Sequence, residues 1–271
     1  MSLTGTLDTA LVTGASSGIG ATYADRLAQR GHDLVLVARS QDRLHALADR
    51  LMRKHGVKIH VLAADLTLPD ERARVEYRLQ EDDSIGWLVN NAGFSAPGAL
   101  ADGRLDDIDA MIQLNITAPT RLAGAALARL IERGQGSIIN IASALAVAPE
   151  LSTGAYAATK SYLLSYSQSL HREVGHRGIR VQVVLPGVTR TAIWERAGKD
   201  VDAFPEHVIM EVDEMVDAAL AGYELGELVT IPALPDMDAW NRYESARLQL
   251  APDLSRNHAA DRYKSDIPED A

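Results

Sequence analysis

Tyr156-Ala-Ala-Thr-Lys160 sets a phenol and an ammonium four residues apart, and Ser143 stands thirteen residues before the tyrosine. On a helix, positions i and i+4 share one face. A phenol titrates near ~10, too high for a general base at neutral pH. A lysine beside it stabilises the phenolate and moves it toward a working value. Ser143 follows Ser137-Ile-Ile-Asn-Ile-Ala, which reads as a buried strand, so its hydroxyl falls at a strand's carboxyl end. A strand end and a helix face together can bring hydroxyl, phenol and ammonium to one place. Taken alone, the tyrosine and lysine are equally a packed helix face, and the rest of the chain decides between the two.

A second chemical element lies near the start. Thr13-Gly-Ala-Ser-Ser-Gly-Ile-Gly20 follows an apolar run and opens a helical pattern, the context a dinucleotide loop needs. Gly14 permits a tight turn, Gly18 lets backbone approach a pyrophosphate, and Gly20 allows close packing of helix on strand. Ser16, Ser17 and Ile19 complete the loop, and the helix start offers free N–H groups to phosphate. It is not a Walker loop, because Gly-Lys-Ser/Thr is absent. The next apolar run ends at Ala38-Arg39-Ser40. An acid there would bond the ribose 2′-hydroxyl of NAD; Arg39 instead suits the 2′-phosphate of NADP, so NADP(H) is favoured over NAD(H). Arg39 as a solvated loop cation is the alternative. Asp65, followed by Leu66, ends the third run; its carboxylate either accepts from the adenine amine or caps the turn at Thr67.

These groups must be positioned by alternating strands and helices. Strands are expected at Thr9–Thr13, Leu34–Ala38, Lys58–Ala63, Ile85–Asn90, Ser137–Ala142, Ile179–Leu185 and Leu228–Ile231. Helices are expected over about Ile19–Arg30, Asp42–His55, Pro69–Leu79, Leu105–Arg133 (with Pro119 as a kink or junction), Gly154–Val174 and an amphipathic stretch from Asp236. Strands apolar on both faces belong in a parallel sheet covered on each side. The fold class is therefore α/β, a single-domain Rossmann fold with a doubly wound parallel sheet of about seven strands. The domain is expected to span 1–251, with a polar tail over 252–271.

The 271 residues are 46% hydrophobic and 24% charged, ordinary for a globular protein, and carry a net charge of −10. That charge argues against nucleic acid or an anionic membrane as general partners. Cysteine is absent, which removes disulfides, thiolate catalysis and cysteine metal sites. The eight histidines show no His-Glu-x-x-His pattern, so no metal site is expected. No signal peptide and no long apolar run is seen, and a cytoplasmic location is expected.

Asn90-Asn-Ala-Gly93 follows the fourth strand, and Pro186-Gly187-Val188-Thr189 the sixth. Together with the glycine loop, Ser143 and Tyr156-x-x-x-Lys160, in this order over about residues 8–232, they resemble the short-chain dehydrogenase/reductase family. The details around Arg39 and the last strand are similar to its bacterial DltE-like branch. The resemblance implies that Tyr156 exchanges a proton with the substrate oxygen. Lys160 would lower its pKa and hold the nicotinamide ribose, and Ser143 would bond the substrate oxygen. Asn115, in the long helix, would support a water chain to Lys160. Asn91, Ala92 and Gly93 would line the cofactor, and Pro186, Gly187, Val188 and Thr189 would run under the nicotinamide carboxamide.

The resemblance also implies a lid over about 190–225, and homodimers or homotetramers paired through the helices near 105–133 and 154–174. Phe94, Leu145, Leu151, Trp194 and Phe204 are either the apolar wall of a substrate site or plain packing. The expected function is NADP(H)-dependent hydride transfer to or from a carbonyl or alcohol of a small apolar molecule. The alternative is a catalytically idle NADP-binding sensor or interaction protein of the same fold. Intact Ser143, Tyr156 and Lys160 speak against it, since a sensor needs no proton donor.

Overall fold

Every residue of the run Thr9–Thr13 is buried, and it forms β1 at the centre of the sheet. The computed structural model describes residues 8–98, 101, 104–151, 155–196, 198 and 200–263. Expectations about Gly154 and about 264–271 lie outside the described residues. The other strands are β2 (Leu34–Ala38), β3 (Ile59–Ala63), β4 (Ile85–Asn90), β5 (Gly136–Ile141), β6 (Ile179–Val184) and β7 (Val229–Thr230). They make one parallel sheet in the order β3-β2-β1-β4-β5-β6-β7. Parallel neighbours require crossovers, and helices supply them.

Alternation along each strand sends side chains to two separate cores. Leu34 and Leu36 enter one core, with Leu27 of α1 (Gly18–Gln29) and Leu44 of α2 (Gln41–His55). Val35 and Val37 enter the other, with Val75 of α3 (Pro69–Glu81). Leu122 of α5 (Ala118–Arg133) and Leu170 of α6 (Ala155–Val174) belong to that second core. Because both faces are covered, the central strands read as unbroken apolar runs.

Two differences from the sequence expectation bear on the site. The long helix over 105–133 is divided into α4 (Leu105–Ile112) and α5 by a π-turn at Gln113–Thr117, which contains Asn115. Pro119 sits in the first turn of α5, where its missing N–H leaves no intrahelical bond unmade. The interruption therefore falls at the asparagine, before the proline.

Within the stretch 190–225, a short helix α7 (Ile193–Arg196) is followed by α8 (Val212–Leu225). Met215, Val216, Ala219 and Leu220 of α8 are buried in the first core. Met210 also packs against that core and is bridged to Thr189, so the stretch is tied to the body of the fold from Met210 onward. From Ala233 onward a second compact unit begins, earlier than the expected tail at 252. It contains α9 (Asp238–Gln249), on which Trp240 and Tyr243 pack with ring centres 5.4 Å apart. The boundary moves because α9 groups with the residues that follow it.

Candidate functional site

The carboxyl ends of β1 and β4 diverge at the switch point of the strand order, where helices leave toward opposite faces. A cavity of about 1080 Å³ opens there. Its floor is sewn together by Thr13. The Thr13 hydroxyl donates to Val89 O (3.2 Å) and accepts from the N–H groups of Asn91 and Ala92 (both 3.0 Å). The Asn91 amide donates back to Thr13 O (2.9 Å) and Gly14 O (3.3 Å). Gly14 has φ +66°, and a Cβ there would lie 2.7 Å from Asn91 Nδ2, so only glycine fits. Gly20 faces the same loop from α1: a Cβ there would meet Gly14 O at 2.4 Å.

Ser17 precedes α1 in an extended conformation and makes no side-chain cap, and no acidic residue occupies the first turn. The opening N–H groups are left for an anion, with the positive end of the helix dipole behind them. A Cβ at Gly18 would touch only Thr191 Cγ2, at 3.4 Å, so the backbone lies open for a diphosphate to approach. Gly14, Ser16, Ser17, Gly18 and Ile19 all line the cavity. This part of the site fits a dinucleotide.

At the far end, Arg39 is 71% exposed and its Nη1 is 3.8 Å from Asp65 Oδ2. Arg43, one turn into α2, lines the same end. Asp65 makes the turn cap with one carboxylate oxygen and turns the other to Arg39. Oδ1 accepts from Thr67 N (3.0 Å) and Thr67 Oγ1 (2.7 Å), which is the turn cap. Oδ2 faces Arg39. Leu66 lines the cavity beside it, and its backbone N–H has no partner among the described residues.

Ser143, Tyr156 and Lys160 meet at the other end. Ser143 follows β5 in extended backbone, and its hydroxyl accepts from Leu145 N at 3.2 Å. Tyr156 stands on the first turn of α6 and lines the same cleft as Ser143. One turn on, buried Lys160 donates from Nζ to Ile141 O at 2.9 Å. Asn115 is also buried: its Oδ1 accepts from Phe94 N (3.1 Å), and its Nδ2 donates to Phe94 O (2.9 Å) and Thr159 Oγ1 (3.0 Å). It thereby ties the Asn90–Gly93 turn to α6 without lining the cavity. A Cβ at Gly93 would lie 3.1 Å from Asn115 Oδ1 and 3.5 Å from Lys160 Nζ.

Burial pushes the Tyr156 phenol up to about 12, against the lowering effect of the Ser143 hydroxyl. Burial brings the Lys160 ammonium down to about 8. Burial outweighs any effect of the lysine on the phenol here. Nζ lies 5.7 Å from the phenol ring centre and is turned to the Ile141 carbonyl, so desolvation dominates.

Pro186, Gly187, Val188 and Thr189 line the cavity as expected. The Thr189 hydroxyl, however, turns to Gly187 O at 3.2 Å, and Thr191 is the residue that stands over Gly18. Phe94, Leu145, Leu151, Trp194 and Phe204 all reach the cavity, with Leu151 on its rim at 77% exposure. The Trp194 indole N–H donates to Thr189 O (2.8 Å), and its ring packs on Phe204 with centres 4.9 Å apart.

Thr191, Ile193 and Arg43 were not picked out from the sequence. Arg43 had a signal in its spacing of four from Arg39; the other two had none. Among the described residues no cluster of metal-ligating side chains occurs, and no helix is long and apolar enough to cross a membrane.

The family model described as short chain dehydrogenase matches residues 8–202. The very-long-chain 3-oxoacyl-CoA reductase of Mus musculus is 35% identical over 188 residues, 68% of this chain and 60% of that protein. The chain therefore spans about 60% of the length of such curated relatives. A short-chain dehydrogenase from Sphingobium yanoikuyae, solved in complex with NADPH, is 52% identical. That match covers 95% of this chain and 100% of the other, with a TM-score of 0.93. A bulky-bulky ketone specific alcohol dehydrogenase from Comamonas testosteroni is 49% identical, covering 96% and 100%, with a TM-score of 0.89.

The lysine gives a test by linkage. Its pKa is lowered on folding, from 10.5 to about 8. Between those values the unfolded chain binds the proton and the folded chain does not, so stability rises with pH through that window. Urea denaturation of wild type and Lys160→Met should show their stability difference shifting by about 3 kcal/mol toward wild type between about pH 8 and 10.5. A difference that stays flat with pH would contradict the burial of this ammonium.

Proposed function

This chain belongs to the short-chain dehydrogenase family, and on that premise we propose that it is an NADP(H)-dependent oxidoreductase working between a carbonyl and an alcohol, with Tyr156 as acid/base. The observation that carries the reading is the meeting of Ser143, Tyr156 and Lys160 in the same cleft as the open start of α1. When bound, the cofactor supplies a hydride donor or acceptor at its nicotinamide carbon. The remaining work falls to the chain.

In reduction, Tyr156 Oη gives its proton to the substrate oxygen as negative charge builds there. A phenol held at about 12 stays protonated at neutral pH, so it is stocked for this direction. Ser143 Oγ donates a hydrogen bond to the same oxygen and stabilises the charge. Lys160 Nζ is anchored at Ile141 O, and its remaining protons serve the nicotinamide ribose. Asn115 holds the Gly93 turn against α6, so that the lysine and the cofactor-facing backbone keep their places. Gly14 through Gly20 hold the diphosphate. Asn91, Ala92 and Gly93 flank the cofactor, and Pro186–Thr189 together with Thr191 hold the carboxamide end.

Arg39 and Arg43 set the preference for NADP(H). Among the described residues neither reaches a carboxylate closer than the 3.8 Å of Arg39 to Asp65, which leaves both guanidinium groups for a 2′-phosphate. The NADPH complex of the Sphingobium relative supports this choice. Phe94, Leu145, Leu151, Trp194 and Phe204 form an apolar wall, with the segment between Arg190 and Met210 as its lid. The Comamonas relative's description supports ketones with bulky groups on both sides as the substrate class. Pairing of subunits through α5 and α6 belongs to the same reading; Tyr162 and Tyr166 stack on α6 with ring centres 5.8 Å apart.

NADPH oxidation in the presence of a panel of diaryl and aryl-alkyl ketones tests the reading. Tyr156→Phe should lower kcat by about 10²–10⁴-fold while NADPH still binds; a variant with full activity would refute the acid/base role. Arg39→Ala should weaken NADPH binding by about tenfold or more, the effect of losing a charged hydrogen bond, and leave NADH binding unchanged. Equal affinity of the variant and wild type for NADPH would overturn the cofactor preference.

A further inference from the structure

The loop that follows β3 is held in place by residues of α3 that do not themselves line the cleft. Glu71 Oε2 accepts from Asp65 N at 2.6 Å. Arg72, buried, donates from Nη1 to Leu66 O at 3.1 Å. The peptide joining Leu66 to Thr67 is therefore gripped at both ends: its C=O by Arg72, its N–H by Asp65 Oδ1 at 3.0 Å. Asp65 O accepts from Leu68 N at 3.0 Å, which fixes the peptide between Asp65 and Leu66 as well. Two groups are left without a hydrogen bond on residues that line the cleft: the acceptor Asp65 Oδ2, 3.8 Å from Arg39 Nη1, and the donor Leu66 N–H. That pair is complementary to the edge of adenine, whose amine donates and whose N1 accepts.

Arg72 is an expensive residue to bury merely for packing. A buried guanidinium needs partners for its donors. Its Nε has no hydrogen bond, lying 3.6 Å from Glu76 Oε1. Glu76 is itself held by Arg121 of α5 in two hydrogen bonds of 2.6 and 2.7 Å. The charge is thus kept in place between α3 and α5, with its one close contact spent on the backbone of the cleft loop.

We propose that Glu71 and Arg72 are positioning residues for adenine recognition, fixing the Asp65–Leu66 edge so that the cofactor's base is read by shape and hydrogen bonding. The inference rests on the cofactor reading above. Without Arg72 the Leu66–Thr67 peptide loses its carbonyl partner and is held from its N–H side alone, which loosens the register of the donor–acceptor pair.

Fluorescence titration with NADPH and with its hypoxanthine analogue tests this by binding alone. Hypoxanthine presents an oxygen to Asp65 and an N–H to Leu66, so both contacts turn repulsive. Wild type should bind NADPH about tenfold more tightly than the analogue, and Arg72→Met should bring the two within about twofold. Arg72→Lys, which keeps a cation able to reach a carbonyl, should recover part of the discrimination. Glu71→Ala, at a less buried position, should also reduce it, and serves if Arg72→Met does not fold. A loss of stability alone would leave the ratio untouched, so an unchanged ratio in Arg72→Met or in Glu71→Ala overturns the proposal. Wild-type protein that binds neither dinucleotide would overturn the cofactor reading and this inference with it.

Discussion

One buried ammonium constrains the chemistry of this molecule. Lys160 lies inside α6 with its Nζ on a main-chain carbonyl, and no carboxylate pairs with it among the described residues. Burying a charge this way is costly, and the drop of its pKa to about 8 expresses that cost. The position persists because the surroundings are fixed from several sides: the end of β5 supplies the carbonyl, and Asn115 ties the Gly93 turn and α6 together. A phenol one turn away is desolvated by the same environment and stays protonated. On the proposed reading the pair is set for proton donation, and a charge arriving beside it would move both groups.

The rest of the fold serves to hold the two ends of a long cleft in register. Thr13 and Asn91 lock the glycine loop to the turn after β4, the very place where the strand order reverses. At the end lined by Asp65 and Leu66 the loop after β3 is held by α3, and α3 by α5 through Glu76 and Arg121. At the other end, Trp194 of α7 is tied to the backbone at Thr189. Each functional group sits on, or is bonded to, a rigid element, which is what precise placement requires.

Much of this was legible in the chain itself. The strands Thr9–Thr13, Leu34–Ala38 and Ile85–Asn90 have the bounds that their apolar runs indicate, because a strand covered on both faces is apolar through its middle, with polar residues such as Thr13 and Asn90 at its ends. The residues gathered at the catalytic end were visible because their spacing along β5 and α6 maps directly onto distance. Other features depend on packing that spacing does not encode. The π-turn at Asn115 was masked by an uninterrupted helical pattern and by Pro119, which drew attention four residues downstream. The core role of α8 was hidden because its stretch was assigned to the lid. Thr191, Glu71 and Arg72 act across elements, through contacts that only the folded chain creates.

The most direct measurement follows the hydride itself. With NADPH deuterated at the transferring position of the nicotinamide and a bulky aryl ketone, mass spectrometry of the product reads where the label goes. The expected result is one deuterium on the carbinol carbon of the alcohol for each cofactor oxidised. Binding of NADPH with no label reaching any carbonyl carbon across a panel of ketones and aldehydes would contradict the assignment of this cleft to carbonyl reduction.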